Sequence, residues 1–226
     1  MDTLAALLAG NDAHVAAFRD RFDDVQDVQR PAAVTVCCSD SRVLQDHMWG
    51  NDQPGRVFTC SNIGNRVVQR TDAGTVVSGD VLYPLEHTGT DLAVVVGHSG
   101  CGAVTATYDA VTTDILDEPA GIEHCISLLR PELEPCIERL PADRGRADAV
   151  NDLVECNVDR QVRALRESDD VPDDTTVAGV VYDFQDAYDG ERGEVHVVNV
   201  NGERDPAALR EKHPAGADRV QRPTTY

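Results

Sequence analysis

The sequence predicts an α/β fold: a central, mostly parallel β-sheet flanked by helices, with an N-terminal helical arm. Three observations predict it. Short, continuous apolar runs recur at 32–37, 92–96 and 177–182, the pattern of strands buried on both faces. Stretches with apolar residues at three- and four-residue steps alternate with these runs, as helices covering a parallel sheet require. The first such stretch precedes every strand signal and is closed off by Pro31.

The elements follow in order. Leu4, Leu7, Leu8, Val15, Phe18, Phe22 and Val25 fall at helical spacing, so Thr3 to Val28 is expected to be helical, with Asn11 and Asp12 capping a second helix after Gly10. Ala32 to Cys37 is a buried strand. Arg56 to Cys60 is a second apolar stretch after Pro54-Gly55, and Asn62-Ile63-Gly64-Asn65 is a loop by composition. Thr75 to Glu86 is expected as a helix, against the grain of Gly79 and Pro84. Leu92 to Val96 is the clearest strand, followed by a glycine-rich turn from Gly97 to Gly102 and a helix opening at Ala103. Residues 112–148 carry Pro119, Pro131, Pro135 and Pro141, and short helices separated by prolines are expected there. Asp152 to Glu167 is a helix, Val177 to Tyr182 a strand, and Glu194 to Val200 its neighbour. After Pro206 the chain turns polar. The expected division is a helical arm over 1–30, a single α/β domain over 31–205 and a tail over 206–226.

Charge narrows the setting. Asp and Glu number 40 against 20 Lys and Arg, giving a formal net charge of −20, and Lys212 is the only lysine. Such a chain repels itself in dilute buffer, whereas molar salt shortens the Debye length to about 3 Å and removes the penalty. A salt-rich, halophilic setting is therefore expected. Nucleic acid is not expected as a partner, because the phosphate-neutralising patch is absent. Nor is a membrane, because no run of about 18 apolar residues exists. Leu4 to Ala9 lacks the basic start of a signal peptide. The cysteines number seven: Cys37, Cys38, Cys60, Cys101, Cys125, Cys136 and Cys156. With an odd count and no export signal, a cytoplasmic location is expected, in which thiols serve a metal or the core and form no disulfides.

Two segments carry chemistry: Cys38-Ser39-Asp40-Ser41-Arg42 and His98-Ser99-Gly100-Cys101, each directly after a strand. Ligands of open parallel sheets gather outside the carboxyl ends of strands, so neighbouring strands would bring Cys38, His98 and Cys101 together. Two thiolates and an imidazole suit Zn²⁺, and three protein ligands leave the fourth tetrahedral position to water. Successive strand residues face opposite sides, so only one of Cys37 and Cys38 can serve; Cys38, nearer the loop, is the expected ligand and Cys37 a core residue. Two thiolates cancel the formal charge of the metal, so a carboxylate accepting a hydrogen bond from its water would help, and Asp40 is placed for that. Arg42 can hold Asp40 in a bidentate pair. Were the pair to break, Asp40 could take the fourth position itself and close the site.

Cys38-Ser39-Asp40-Ser41-Arg42-Val43 and Gly97-His98-Ser99-Gly100-Cys101-Gly102-Ala103-Val104 resemble the two signature segments of β-class carbonic anhydrases. Weaker similarity extends from Leu4 to Val200, including Asn62-Ile63-Gly64-Asn65, Asn157 to Leu165 and Val180-Val181-Tyr182-Asp183. The resemblance implies a zinc lyase that hydrates carbon dioxide reversibly to bicarbonate and a proton. It implies zinc ligands at Cys38, His98 and Cys101 and a catalytic pair of Asp40 and Arg42. It also implies a homodimer, or a dimer-based homo-oligomer, whose N-terminal helices embrace the partner. Ser61, Thr35 and Leu44 depart from the pattern, at positions where an arginine, the tryptophan of bicarbonate-regulated members and a proline are common; this favours the subtype with an open water position. Three other readings remain: a carbon disulfide or carbonyl sulfide hydrolase on the same fold, a non-enzymatic zinc domain, and a serine hydrolase using Ser99 in a Gly-x-Ser-x-Gly-like turn whose last position is Cys101.

Overall fold

The structure, a computed structural model, describes residues 2–223. Along the chain run α1 (Thr3–Phe18), β1 (Ala33–Cys38), β2 (Val57–Asn62), β3 (Val68–Thr71), β4 (Gly74–Val77), α2 (Gly79–His87), β5 (Leu92–His98), α3 (Gly102–Thr113), α4 (Ala120–Ile137), α5 (Arg146–Arg166), β6 (Thr176–Asp183), β7 (Glu194–Val200) and α6 (Pro206–Lys212), with 3₁₀ turns at Arg19–Val25, His47–Trp49 and Pro214–Arg219.

Five strands form one sheet in the order β2-β1-β5-β6-β7. The first four are parallel and β7 closes the edge antiparallel to β6. From β1 the chain steps outward to β2 and then returns to the other side of β1 as β5. The strand order therefore reverses between β1 and β5, and a crevice opens at their carboxyl ends, where open α/β sheets take their ligands. Cys38 ends β1 and His98 ends β5, so the fold puts both at the mouth of that crevice.

The main core lies on one face of the sheet, where Val34, Val36 and Val95 meet Leu129 and Leu133 of α4 and Leu153, Val158 and Val162 of α5. Helix α5 lies against the strands without a gap: a Cβ at Gly97 would stand 2.7 Å from Val158, and one at Gly179 2.6 Å from the same side chain. The opposite face carries a smaller cluster of Cys37, Val43, Val94, Val96, Val180 and Tyr182, with Met48, Trp49 and Phe184 packed against it.

Several elements differ from expectation. Helix α1 is continuous through Gly10 to Phe18, and no residue of it is buried; a glycine costs a helix about 1 kcal/mol but does not end it. The segment expected as one helix from Thr75 first completes an antiparallel hairpin, β3 with β4, and only then, capped by Ser78, becomes α2. Pro84 is tolerated inside α2 because the Asp80 carbonyl it leaves without an amide accepts the Cys60 thiol at 3.2 Å. Helix α4 runs unbroken through Pro131 and Pro135, since both rings face solvent while Ile126, Leu129 and Leu133 anchor the other side.

Cys136 of α4 and Cys156 of α5 form a disulfide, correcting the expectation that no cysteines pair. Both are buried where the two helices face each other, a proximity that a separation of 20 residues in sequence does not reveal. The other five described cysteines are free thiols.

The segment after Pro206, expected as a polar tail, folds back onto β7. Leu209 and Val220 are buried, and Val220 bridges to Val197. Arg222 reaches Asp159 of α5 at 2.5 Å and the Glu155 carboxylate at 3.6 Å. Glu155 is fully buried and accepts the Tyr188 hydroxyl at 2.7 Å, and burial pushes its carboxyl up to about 7. Residues 224–226 of the expected tail lie outside the described residues. Among the described residues no helix is long and apolar enough to cross a membrane.

Candidate metal centre

Strand alternation separates the two adjacent cysteines. Cys37 faces the smaller cluster, and burial pushes its thiol up to about 12, a thiol that stays protonated. Cys38 faces the other side, at the crevice. Its sulfur lies 3.8 Å from that of Cys101, and the ligand atoms of Cys38, His98 and Cys101 all lie within 4.8 Å of one another. All three residues are buried. The structure thus brings together the three residues singled out from the sequence.

Local structure aims each donor. Cys101 is the residue from which α3 starts, and its sulfur sits among the first amides of that helix, with Ala103 and Val104 donating to it. The Gly64 amide donates to Cys38 Sγ at 3.4 Å. The Cys101 thiol favours the thiolate at Cys38, while the charge on Cys38, together with burial, pushes the Cys101 thiol up. His98 donates from Nδ1 to the Ser99 carbonyl at 3.0 Å, which leaves the lone pair on Nε2. That nitrogen is buried and has no hydrogen-bond partner among the described residues.

Two zinc–sulfur bonds of about 2.3 Å at a tetrahedral angle span about 3.8 Å, the sulfur separation found here. The orphaned Nε2 supplies a third donor. The donor set therefore fits a zinc ion.

Asp40 and Arg42 stand beside the triad. Arg42 grips Asp40 through Nε to Oδ1 at 2.9 Å and Nη2 to Oδ2 at 2.7 Å, and its own backbone amide adds a third bond at 2.9 Å. These bonds hold the Asp40 carboxyl well below the usual carboxylate range. Oδ2 of Asp40 lies 3.7 Å from His98 Nε2, so the carboxylate edges the same space as the three donors. The Phe184 ring backs both groups, stacked on His98 at 5.7 Å and under the Arg42 guanidinium at 4.8 Å.

The loops are held from behind by α5. Asn151 accepts the Gly100 amide at 2.9 Å, and Gly100 has φ +62°, where a Cβ would strike Gln185. Asn157 donates to the Gly64 carbonyl at 3.0 Å, and Gln161 accepts the Val67 amide at 2.9 Å. Sequence reasoning missed Asn151, Gln161 and Phe184. The available signal was a pair of amides, Asn157 and Gln161, four residues apart amid the apolar positions of α5. Ser99, the alternative nucleophile, is buried and its Oγ accepts the Phe184 amide at 3.0 Å, while the adjacent imidazole is turned to the Ser99 carbonyl.

A family model described as carbonic anhydrase matches residues 33–192, which include β1, both signature loops and α5. A carbonic anhydrase from Pseudomonas aeruginosa is 31% identical over 145 residues, 64% of this chain and 63% of that protein. One from Mycolicibacterium smegmatis is 36% identical over 124 residues, 53% of this chain and 54% of that one. The chain spans 47% to 63% of the length of the first curated relatives it matches. Among solved structures, one of two tetrameric β-carbonic anhydrases from Sordaria macrospora shares the fold with a TM-score of 0.71, at 21% identity, over 88% of this chain and 98% of that one.

Proposed function

This chain belongs to the β-class carbonic anhydrase family, and from that premise we propose that it catalyses the reversible hydration of carbon dioxide to bicarbonate and a proton, with zinc held by Cys38, His98 and Cys101. The observation that carries the proposal is the buried triad, two sulfurs 3.8 Å apart and an imidazole nitrogen with no hydrogen-bond partner among the described residues, beside an arginine-held carboxylate. A zinc ion there would lower the pKa of a coordinated water and offset the negative charge that develops as carbon dioxide is attacked.

The protein groups divide the remaining work. Asp40, kept ionised by Arg42, is an acceptor at every physiological pH; it orients the attacking water and does not donate a proton. Arg42 positions Asp40, and Phe184 positions Arg42 and His98. The grip of Arg42 on Asp40 supports an open fourth position in the working state, and release of that grip is the route by which Asp40 would close it.

The assembly is proposed as a homodimer or a dimer-based oligomer. Helix α1 leaves Leu4, Leu7, Leu8 and Val15 exposed, and a second copy would cover them. On this reading 1–30 is the embracing arm and 31–205 the zinc-binding catalytic domain. The charge of −20 with a single lysine supports a halophilic protein; a cytoplasmic location belongs to the same reading, although the Cys136–Cys156 disulfide is one that a reducing compartment does not favour.

Zinc analysis coupled to stopped-flow carbon dioxide hydration in molar salt tests the proposal. About one zinc per chain and hydration that a chelator abolishes is the expected result. A metal-loaded protein inert toward carbon dioxide but active on carbonyl sulfide, or inert toward both, would refute the assignment. In the same buffers the melting temperature should rise from dilute to molar salt; a flat response would remove the halophilic reading.

A further inference from the structure

A cavity of about 590 Å³ lies along the C-terminal half of α5, lined by Arg139, Arg160, Arg163, Arg166 and Arg204. A quarter of the chain's 20 basic side chains thus converge on one hollow of a protein whose formal charge is −20. Only Asp159 and Glu167 oppose them in the lining, a local excess of three positive charges. We propose that this cavity, between the end of α4, the last turns of α5 and the turn after β7, binds a phosphate-bearing small molecule.

Local structure accounts for only some of the basic groups. Arg163 and Arg166 lie in the last turn of α5, where cations complement the helix dipole. Arg139, just past α4, bonds a carbonyl of that helix's last turn and so also serves a helix end, whereas Arg204 follows β7 and does not; both face the same space. Nor are all of the charges neutralised. Among the described residues, Arg139 donates to the Pro135 carbonyl, Arg160 reaches only Cys136 Sγ at 3.9 Å, and Arg166 donates one nitrogen to the Asn201 carbonyl; none of the three meets a carboxylate. Arg163 pairs with Glu132 at 2.8 Å and stands 3.8 Å from Glu167, and Arg204 stands 3.5 Å from Asp159, whose carboxylate is already taken at 2.5 Å by Arg222.

Several uncompensated guanidinium forks in one concavity repel one another, and an oxyanion relieves that repulsion while taking paired N–H bonds. A tetrahedral dianion can be shared among forks arriving from three elements, which a planar monoanion does less well. The volume is that of a small-metabolite site, larger than a bare ion needs.

Calorimetric titration of the intact protein with inorganic phosphate and with glucose 6-phosphate, in salt that keeps it folded, tests this. Both probes should bind with a dissociation constant at or below the millimolar range and raise the melting temperature. Tighter binding of the sugar phosphate would identify an organic ester as the ligand, and equal binding the free ion. The double variant Arg139→Gln/Arg204→Gln removes two exposed side chains and should weaken binding at least tenfold while keeping the circular dichroism spectrum; if it fails to fold, Arg204→Gln alone should weaken binding severalfold. Absence of binding at 10 mM phosphate, equal binding by the folded variant, or equal stabilisation by potassium acetate at matched ionic strength would overturn the proposal. So would a change in sedimenting mass of the variant, which would make the cavity a contact between copies.

Discussion

The candidate metal centre and the N-terminal helix are both signalled strongly in the sequence, and the chain treats them in opposite ways. Cys38, His98 and Cys101 sit on strand ends and a helix start that are themselves packed, and α5 fixes the intervening loops through Asn151, Asn157 and Gln161. Helix α1 has its apolar residues at helical spacing and buries none of them. The contrast separates two meanings of an apolar pattern. In α5 it describes contacts the chain makes with itself, whereas in α1 it describes contacts that another surface must supply.

The largest expected effects come from the centre. Cys38→Ser should lose zinc and all measurable hydration, whereas Cys37→Ser, altering a thiol one residue away but on the opposite face, should keep both; metal analysis of the two purified variants decides, and the reverse contents would break the assignment. Asp40→Asn should retain zinc and lose about 10² to 10⁴-fold in hydration rate, the usual range for a positioned proton-handling group. Turnover within a few-fold of the parent would leave Asp40 without its role.

A smaller effect concerns Glu155, the buried carboxyl of α5. Burial raises the Glu155 carboxyl from 4.5 to about 7, so the folded state binds its proton more tightly than the unfolded chain. Its contribution to stability is therefore full below about pH 4.5 and is lost as pH rises through about 7, amounting to about 3 kcal/mol. Glu155→Gln keeps an acceptor for Tyr188 and should remove that part of the pH dependence, leaving the variant more stable than the parent at pH 8. Urea unfolding across pH 4–8 would show it; parallel curves for the two proteins would mean that Arg222 already compensates the charge.

The smallest effect on the protomer is expected from the arm. Deleting residues 1–17 should change the unfolding free energy of dilute, dissociated protomer by no more than about 0.5 kcal/mol, the scale of surface changes. It should nevertheless lower the sedimenting mass at higher concentration. A large loss of protomer stability would show that α1 packs on its own domain and would erase the contrast drawn above.

Legibility varied in the same physical way along the chain. Leu92 to Val96 and Val177 to Tyr182 read plainly as strands because a buried parallel strand must be apolar at every position. Helix α4 did not read as one helix, because its prolines argue locally against the helix while Leu129 and Leu133 argue for it only once a partner surface exists. The Cys136–Cys156 pair was illegible for a related reason: sequence spacing does not say which faces of two helices meet.

By itself the sequence determined the alternation of strands and helices, the two loops that hold the donors, and the choice of Cys38 over Cys37, because each depends on periodicity or on residue chemistry at short range. The tertiary structure decided the strand order that sets β1 beside β5, the three amides of α5 that lock the loops, and the gathering of five arginines from three elements around one hollow. Those features join residues tens of positions apart, and only packing of the whole chain fixes which distant side chains become neighbours.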